Sequence, residues 1–149
     1  NMCNGNDAAA PARKQRAVAV GAIEEVVAAM RAHVQAADLQ ENGCCALGNV
    51  CLGDDAASPA RRQRAALAGG LEEVVAAMRA HPEEENVQED GCRALCSSCS
   101  GGSGVRARKR RATQAGGRTV VVAAMQAHPD HNEVQDFGQK LLDCFPVEV

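Results

Sequence analysis

The sequence predicts an all-α fold, a solenoid in which three-helix repeats follow one another with a period of 47–48 residues. Three observations predict it. Long blocks of sequence recur at this spacing. The apolar residues inside the blocks follow the i, i+3, i+4, i+7 pattern of helices with one buried face. Finally, Phe137 and Phe145 are the only aromatic residues among 149, so small aliphatic side chains must fill a core of closely packed helices.

The repeat is visible in two blocks. Residues 1–16 recur 48 positions later as residues 49–64, and a second block rich in valine and alanine occurs three times. The methionines that end this second block stand 48 and 47 residues apart: Met30, Met78 and Met125. The single-residue deletion falls in the Ser/Gly-rich stretch 97–104, where a loop can shorten without disturbing a core. The array therefore keeps its register.

Each repeat is predicted to contain three helices, of which the first is short and basic and runs from Pro11 to Val20 in the first repeat. The second and third helices of that repeat have apolar residues at helical spacing: Ile23, Val26, Val27 and Met30, then Leu39, Gly43, Ala46, Leu47 and Val50. Pro11 and Pro59 suit the first turn of a helix. We expect the third helices to start at polar N-cap residues: Asp38, Asn86 and Asn132.

The predicted organisation is a single solenoid over residues 1–149. Its parts are the end of a preceding repeat with its loop, a first repeat, a second repeat, and a third repeat that serves as C-terminal cap: residues 1–10, 11–58, 59–105 and 106–149. A helix pair cannot bury its apolar face alone, so neighbouring repeats must stack. Since residues 1–3 match residues 49–51, the tail of a third helix, we expect further repeats before Asn1, or a partner that covers that face.

Two segments resemble the armadillo repeat family, and the likeness covers nearly the whole chain. They are the Gly-Gly-apolar entry to a second helix at 68–75 and the Val-Gln-Glu entry to a third helix at 86–95. The resemblance implies a right-handed α-solenoid of armadillo-like three-helix repeats, whose third helices line a concave groove for an extended protein segment. The family often places a Trp and, four residues later, an Asn along this groove. The matching positions here are Cys45, Arg93 and Lys140 for Trp, and Asn49, Ser97 and Cys144 for Asn.

The resemblance therefore implies a non-catalytic scaffold for protein–protein interaction, which binds a partner segment on the concave face. The alternative is a structural subunit packed permanently in a larger multiprotein assembly, with basic first helices against an acidic partner. On one face of the third helices, the groove residues are predicted to be Asn42, Cys45, Asn49, Asp90, Arg93, Ser97, Phe137 and Lys140.

The first helices carry basic residues in three columns, one member per repeat. Stacked helices lie roughly 8–10 Å apart, so the columns predict a basic ridge: Arg13, Lys14, Arg16, Arg61, Arg62, Arg64, Arg108, Lys109 and Arg111. Either the ridge is a solvated face, partly neutralised by glutamates of the other helices, or it is a docking strip for an acidic or phosphate-bearing partner. Nucleic acid is disfavoured because the ridge has no aromatic residue on which bases could stack.

The eight cysteines are predicted to be reduced, because most fall at repeat-related helical positions. Cys92, Cys96 and Cys99 have the spacing of a radical-SAM motif, and the last two form a Cys-x-x-Cys pair. However, Cys92 matches Cys44, and Cys99 matches Cys51, which indicates packing in the core. No cofactor or metal is therefore predicted, although a redox or metal role of this triplet stays open.

The sequence contains no arrangement typical of an enzyme, and no small-molecule substrate is predicted. The recurring histidines are expected to end the second helices: His33, His81 and His128. The segment from His128 to His131 suggests a metal site, but it lacks a matched third ligand nearby, and its proline breaks the helical spacing.

The chain shows neither a basic start followed by an apolar run nor a stretch of about 18 apolar residues. We therefore expect a cytoplasmic protein without membrane insertion, with a nuclear or organellar location left open.

Overall fold

A computed structural model of the chain describes residues 9–147, apart from the side chains of Ala17 and Ala19. This range contains nine α-helices and no strand, which confirms the all-α prediction. The helices are α1 Ala10–Ala19, α2 Ala22–Ala32, α3 Ala37–Cys51, α4 Ser58–Leu67, α5 Gly70–Ala80, α6 Glu85–Ser98, α7 Val105–Gln114, α8 Gly117–Ala127 and α9 Asn132–Cys144. The predicted match of residues 1–3 to the tail of a third helix lies outside the described residues.

The residues predicted at the helix starts are only partly confirmed. Pro11 and Pro59 lie in the first turns of α1 and α4, as predicted. The predicted N-caps of the third helices are wrong: Asp38, Asn86 and Asn132 lie inside α3, α6 and α9. Each of these helices starts earlier because an extended residue precedes it, and the actual N-caps are Ala36, Glu84 and His131. Ala36 and Glu84 make no side-chain hydrogen bond to the helix start, whereas the His131 side chain accepts the Val134 backbone N–H.

Helices in equivalent positions pack side by side along the chain. Helix α3 packs against α6, and α6 against α9, while α2 packs against α5, and α5 against α8. The helices fall into three consecutive sets, α1–α3, α4–α6 and α7–α9, and within each set the second helix packs on the third. The buried apolar side chains form one cluster that extends from Val18 in α1 to Phe145 after α9. The core is thus shared by all three sets, as expected when single helix pairs cannot bury their own apolar faces.

Glycine permits close contact between the second and third helices. An added Cβ on Gly91 of α6 would lie 2.5 Å from Cγ and 2.7 Å from Sδ of Met78 in α5. Those distances are far below ordinary van der Waals contact. The same glycine–methionine contact occurs in the other two sets, between Gly43 and Met30 and between Gly138 and Met125.

One glutamine in each set closes the end of the second helix. Gln88 Nε2 donates hydrogen bonds to the carbonyl oxygens of Met78, at 3.0 Å, and His81, at 2.8 Å. The last carbonyls of a helix lack a donor within the helix, and a side chain can supply one. The His81 carbonyl also accepts the Glu84 backbone N–H at 3.2 Å. The arrangement recurs with Gln40 on Met30 and His33, and with Gln135 on Met125 and His128.

Across the described part of the chain, every helix is too short or too polar to cross a membrane.

Candidate functional site

The third helices present most of the predicted groove residues, but not all, at the protein surface. Asn42 and Lys140 are exposed. Four others are partly exposed: Cys45, Asp90, Arg93 and Phe137. Asn49 and Ser97 are buried, at 6% and 5% exposure, so their side chains are largely covered in this structure, contrary to the prediction. Both lie near the C-terminal ends of their helices, and α4 packs against both α3 and α6.

Arg93 joins two of the third helices on this surface. Its Nη2 donates to Asp90 Oδ1 at 2.8 Å and contacts Cys45 Sγ at 3.3 Å across the α3–α6 boundary. Its Nε is buried and has no hydrogen-bond partner. Burial raises the pKa of Asp90, opposed by the positive charge of Arg93 and assisted by Glu89 and Glu41. Arg93 is therefore a partly desolvated cation among carboxylates.

Lys140 and Phe137 form the third part of the surface. The Lys140 ammonium lies 5.7 Å from the centre of the Phe137 ring, within the range of a cation–π contact. The Cys96 thiol donates to the Phe137 carbonyl oxygen at 3.5 Å, which ties α6 to α9. The surface therefore carries a cation from α6 and another from α9.

The predicted basic ridge is not a continuous exposed surface. Arg16 is exposed, and Arg13, Arg64, Lys109 and Arg111 are partly exposed. Four residues are buried, at 6%, 1%, 6% and 1% exposure respectively: Lys14, Arg61, Arg62 and Arg108. For these four the ridge prediction is wrong, because the ends of the third helices pack over them and accept their hydrogen bonds.

Arg61 shows what the buried cations do. Its Nε donates to the carbonyl oxygen of Val50 at 2.8 Å, in the last turn of α3. Its Nη1 and Nη2 bind both carboxylate oxygens of Asp55, at 2.9 and 2.6 Å, and Nη2 also donates to Ser58 Oγ at 3.0 Å. These bonds hold the pKa of Asp55 well below its usual range, with Arg61 as the largest cause. A planar guanidinium is suited to binding several acceptors in this way.

Arg108 and Arg62 repeat this role. Arg108 Nε donates to the carbonyl of Ser98 at 2.6 Å, at the end of α6, and its Nη atoms bind carbonyls of the following loop. Arg62 Nε lies 3.0 Å from the carbonyl oxygens of both Cys51 and Ser97, so it bridges the ends of α3 and α6. The buried arginines are C-terminal caps of the third helices, a function that charge counting missed.

Two arginines of the predicted ridge, Arg64 and Arg111, link neighbouring sets of three helices through ion pairs. Arg64 Nε lies 2.7 Å from Glu24 Oε1, and Arg111 pairs in the same way with Glu72. These second-helix glutamates partly neutralise the basic column, as the solvated-face interpretation expected.

The recurring histidines end the second helices, as predicted: His33, His81 and His128 are the C-caps of α2, α5 and α8. Two of their rings also bind the preceding set. His81 Nε2 lies 2.7 Å from the Val34 carbonyl oxygen, and His128 Nε2 lies 2.8 Å from that of Pro82. Because a carbonyl oxygen only accepts, Nε2 is the donor in both contacts.

Cys92, Cys96 and Cys99 lie in a setting that favours packing. All three are free thiols, and burial raises the pKa of each to about 12. Redox-active cysteines have the opposite property, a lowered pKa in a positively charged, accessible site.

This burial predicts which thiols are reactive. In a C3S variant, which removes the cysteine outside the described residues, we expect rapid labelling by a thiol reagent at about pH 8 to be limited to the partly exposed Cys45 and Cys144. Cys44, Cys51, Cys92 and Cys99 should react at least about tenfold more slowly, because each is buried and burial raises its pKa. Cys96 is partly exposed, but burial raises its pKa as well, so it should also react more slowly than Cys45 and Cys144. Further C45S and C144S variants should each remove one fast equivalent. Rapid labelling of Cys92 or Cys99 in the folded protein would contradict the packing assignment.

One group of side chains within residues 9–147 brings three candidate metal ligands within 4.8 Å of one another: Glu89, His131 and Glu133. His131 Nε2 lies 3.4 Å from Glu89 Oε2, and its Nδ1 accepts the Val134 backbone N–H at 3.4 Å. With Nδ1 as acceptor, the proton of a neutral ring is on Nε2 and faces Glu89. The contacts thus describe a helix cap with an acidic neighbour. Glu133 is exposed, and exposed carboxylates often approach a histidine without a metal, so the group alone assigns none.

Comparison with known proteins identifies no relative. No protein-family model, curated protein or solved structure matches the chain.

Proposed function

We propose that the protein is a non-catalytic scaffold that binds an extended segment of a partner protein along the face of α3, α6 and α9. In this proposal the nine helices form a right-handed armadillo-like solenoid and the third-helix face is its concave side. The observation that supports it most directly is the order of packing, α3 against α6 and α6 against α9. This order gathers the partly accessible groove residues of three repeats on neighbouring helices.

The chemistry of this face suits a segment that carries carboxylates or exposed backbone carbonyls. The side chain of Arg93 is 30% exposed, and among the described residues only its Nη2 is engaged in hydrogen bonds. Lys140 is exposed and held over an aromatic ring. Asn42 adds an amide that can donate to and accept from a peptide backbone. Two cations with an amide provide directional contacts without any group placed for catalysis.

The alternative is a permanent subunit that contacts an acidic partner through its first helices. The exposed basic surface that this alternative needs is much smaller than predicted. Four of the nine ridge residues are buried and satisfied by the protein's own carbonyl oxygens or carboxylates. What remains of the ridge is partly neutralised by Glu24 and Glu72. The third-helix face is therefore the better-supported binding surface.

The proposal is tested by selecting binders to the full chain from a random peptide library and measuring their affinity by fluorescence anisotropy. Reversing both cations in R93E/K140E should weaken the selected peptides by about tenfold or more, since a cross-interface charge pair is worth about 1–2 kcal/mol. The matched control is R106E/R110E, which makes the same change in net charge at two exposed residues of α7.

Circular dichroism of both variants must first show an unchanged fold. Equal weakening by the two variants would mean that net charge alone governs binding, and unchanged affinity of R93E/K140E would remove the third-helix face as the binding site. Backbone NMR shifts on peptide addition should concentrate in α3, α6 and α9.

A further inference from the structure

The repeats are joined by charged pairs that follow a rule. Arg64 Nε lies 2.7 Å from Glu24 Oε1, and Arg31 Nε lies 2.8 Å from Glu73 Oε1. Glu24 and Arg31 lie in the first and last turns of α2. The second helix of one repeat therefore carries a glutamate and, seven residues later, an arginine, and both pair with the next repeat. The glutamate pairs with an arginine of the next repeat's first helix, and the arginine pairs with a glutamate of its second helix.

The boundary between the second and third repeats keeps half of this pattern. Arg111 pairs with Glu72, as Arg64 pairs with Glu24. Val120 replaces the second glutamate, and Arg79 Nη2 instead lies 3.3 Å from the carbonyl oxygen of Ala115. The first pair thus occurs at both boundaries, and the second occurs where both of its residues are present.

The first repeat has the equivalents of Arg64 and Glu73 on the side that faces away from the second repeat. Arg16 of α1 is the equivalent of Arg64 and Arg111, and Glu25 of α2 is the equivalent of Glu73. Both are exposed, and within residues 9–147 neither is in an ion pair. We call this side, formed by α1, α2 and α3, the first-repeat end face.

The apolar residues of the end face are also incompletely covered. Val26 is partly exposed, whereas its equivalents Val74 and Val121 are 2% and 0% exposed. Leu39 is partly exposed, whereas Val87 and Val134 are 1% and 0% exposed. In the second and third repeats these positions are covered by the repeat before them. The end face therefore combines unburied apolar contacts with the charges used at the internal boundaries.

We propose that the first-repeat end face binds another three-helix repeat whose second helix carries a glutamate in its first turn and an arginine seven residues later. Continuity with the internal boundaries supports this occupant, and so does charge, because Arg16 is complementary to a carboxylate and Glu25 to a cation. The third repeat of a second copy does not fit, because Thr119 and Gln126 occupy the positions of Glu24 and Arg31. The inference concerns the end face and is independent of peptide binding on the third-helix face.

The test is a full chain in which residues 11–58 are duplicated in tandem, so that Ser58 of the added copy precedes Pro11 of the original as it precedes Pro59. The original Arg16 and Glu25 then meet Glu24 and Arg31 of the added copy. Urea unfolding followed by circular dichroism should show one cooperative transition with a higher midpoint than that of the parent chain.

Three variants of the duplicated chain test whether the ion pairs of Arg16 and Glu25 stabilise the new boundary. E24T/R31Q in the added copy, which introduces the third repeat's own residues, should raise the unfolding equilibrium constant about three- to tenfold. R16E/E25R in the original copy should do the same or more, and E24R/R31E in the added copy should restore the loss. Separate melting of the added copy, or the absence of rescue, overturns the proposal. So does a parent-chain dimer in sedimentation that R16E/E25R dissolves, because a second copy would then be the occupant.

Discussion

Replacing Arg61 with methionine should lower the free energy of unfolding by about 3 kcal/mol. This is the lower end of the range for removing one partner of a buried ion pair, because the Asp55 side chain is 25% exposed. The side chain of Arg61 is 1% exposed, and its guanidinium satisfies the Val50 carbonyl, the Asp55 carboxylate and Ser58 Oγ. Methionine fills part of the same volume but donates nothing, so the Val50 carbonyl loses this donor. Asp55 loses its charged partner and keeps only the Ala57 N–H and the Ser58 hydroxyl. Urea unfolding of the full chain measures the loss.

The matched control is R64M, three residues further along the same helix. Arg64 pairs with Glu24 while both side chains are more than 40% exposed, so its loss should cost about 1 kcal/mol or less. Similar losses for R61M and R64M would show that the buried arginine does not cap α3 in solution.

The pH dependence gives R61M a second readout. The pKa of Asp55 is lowered from 3.8, so its ion pair contributes stability that is fully present above that value and is lost as pH falls below it. The wild-type protein should therefore lose stability on acidification more steeply than R61M, in which the main cause of the lowered pKa is gone. Parallel pH profiles of the two proteins would contradict the assignment.

Replacing Gly91 with alanine should destabilise the protein by about 1–3 kcal/mol, although alanine is the better helix former by about 1 kcal/mol. The new Cβ would lie 2.5 Å from Met78 Cγ, and Met78 is itself 2% exposed and has little room to move. Either α5 and α6 separate, or the methionine leaves its favoured rotamer. Thermal and urea unfolding both report the change.

Gly48 provides the control, because it is also buried in a third helix but an added Cβ would meet Ala94 at 3.4 Å or more. G48A should therefore be neutral or slightly stabilising. In G91A, a further M78A change should cost less than it does in the wild-type background, because the small side chain makes room for the new methyl group. Additive effects would show that crowding against Met78 is not the cause.

The sequence predicted the helices well because their signals are local. Apolar spacing in each repeat indicated where helices lie, and Pro11 and Pro59 were placed correctly in first turns. The N-caps of the third helices were wrong because the chain enters these helices from extended residues, including Ala36 and Glu84, that have no polar side chain bonded to the helix start. The histidine C-caps were correct, but their rings bind carbonyls of the preceding repeat, which no local pattern shows.

The candidate binding surface was predicted less completely. Helical spacing placed Cys45, Asp90 and Arg93 on one face, and the structure brings these three into contact. The same spacing put Asn49 and Ser97 there as well, although the packing around the C-terminal ends of α3 and α6 buries them. The spacing of residues along one helix predicts which way their side chains point, but not where the neighbouring helix lies.

What the sequence by itself determined is the helical class, the recurrence of the repeat and most of the positions that form the core, since each depends on residues a few places apart or on a repeated pattern. The tertiary structure decided which charges are structural. Arg61 and Arg64 have the same side chain on the same helix, yet one caps a buried helix end and the other forms an exposed ion pair. The reason is physical: burial and pairing depend on how the helices pack. Packing places Arg61 against the Val50 carbonyl, 11 residues away along the chain, and Arg64 against Glu24, 40 residues away.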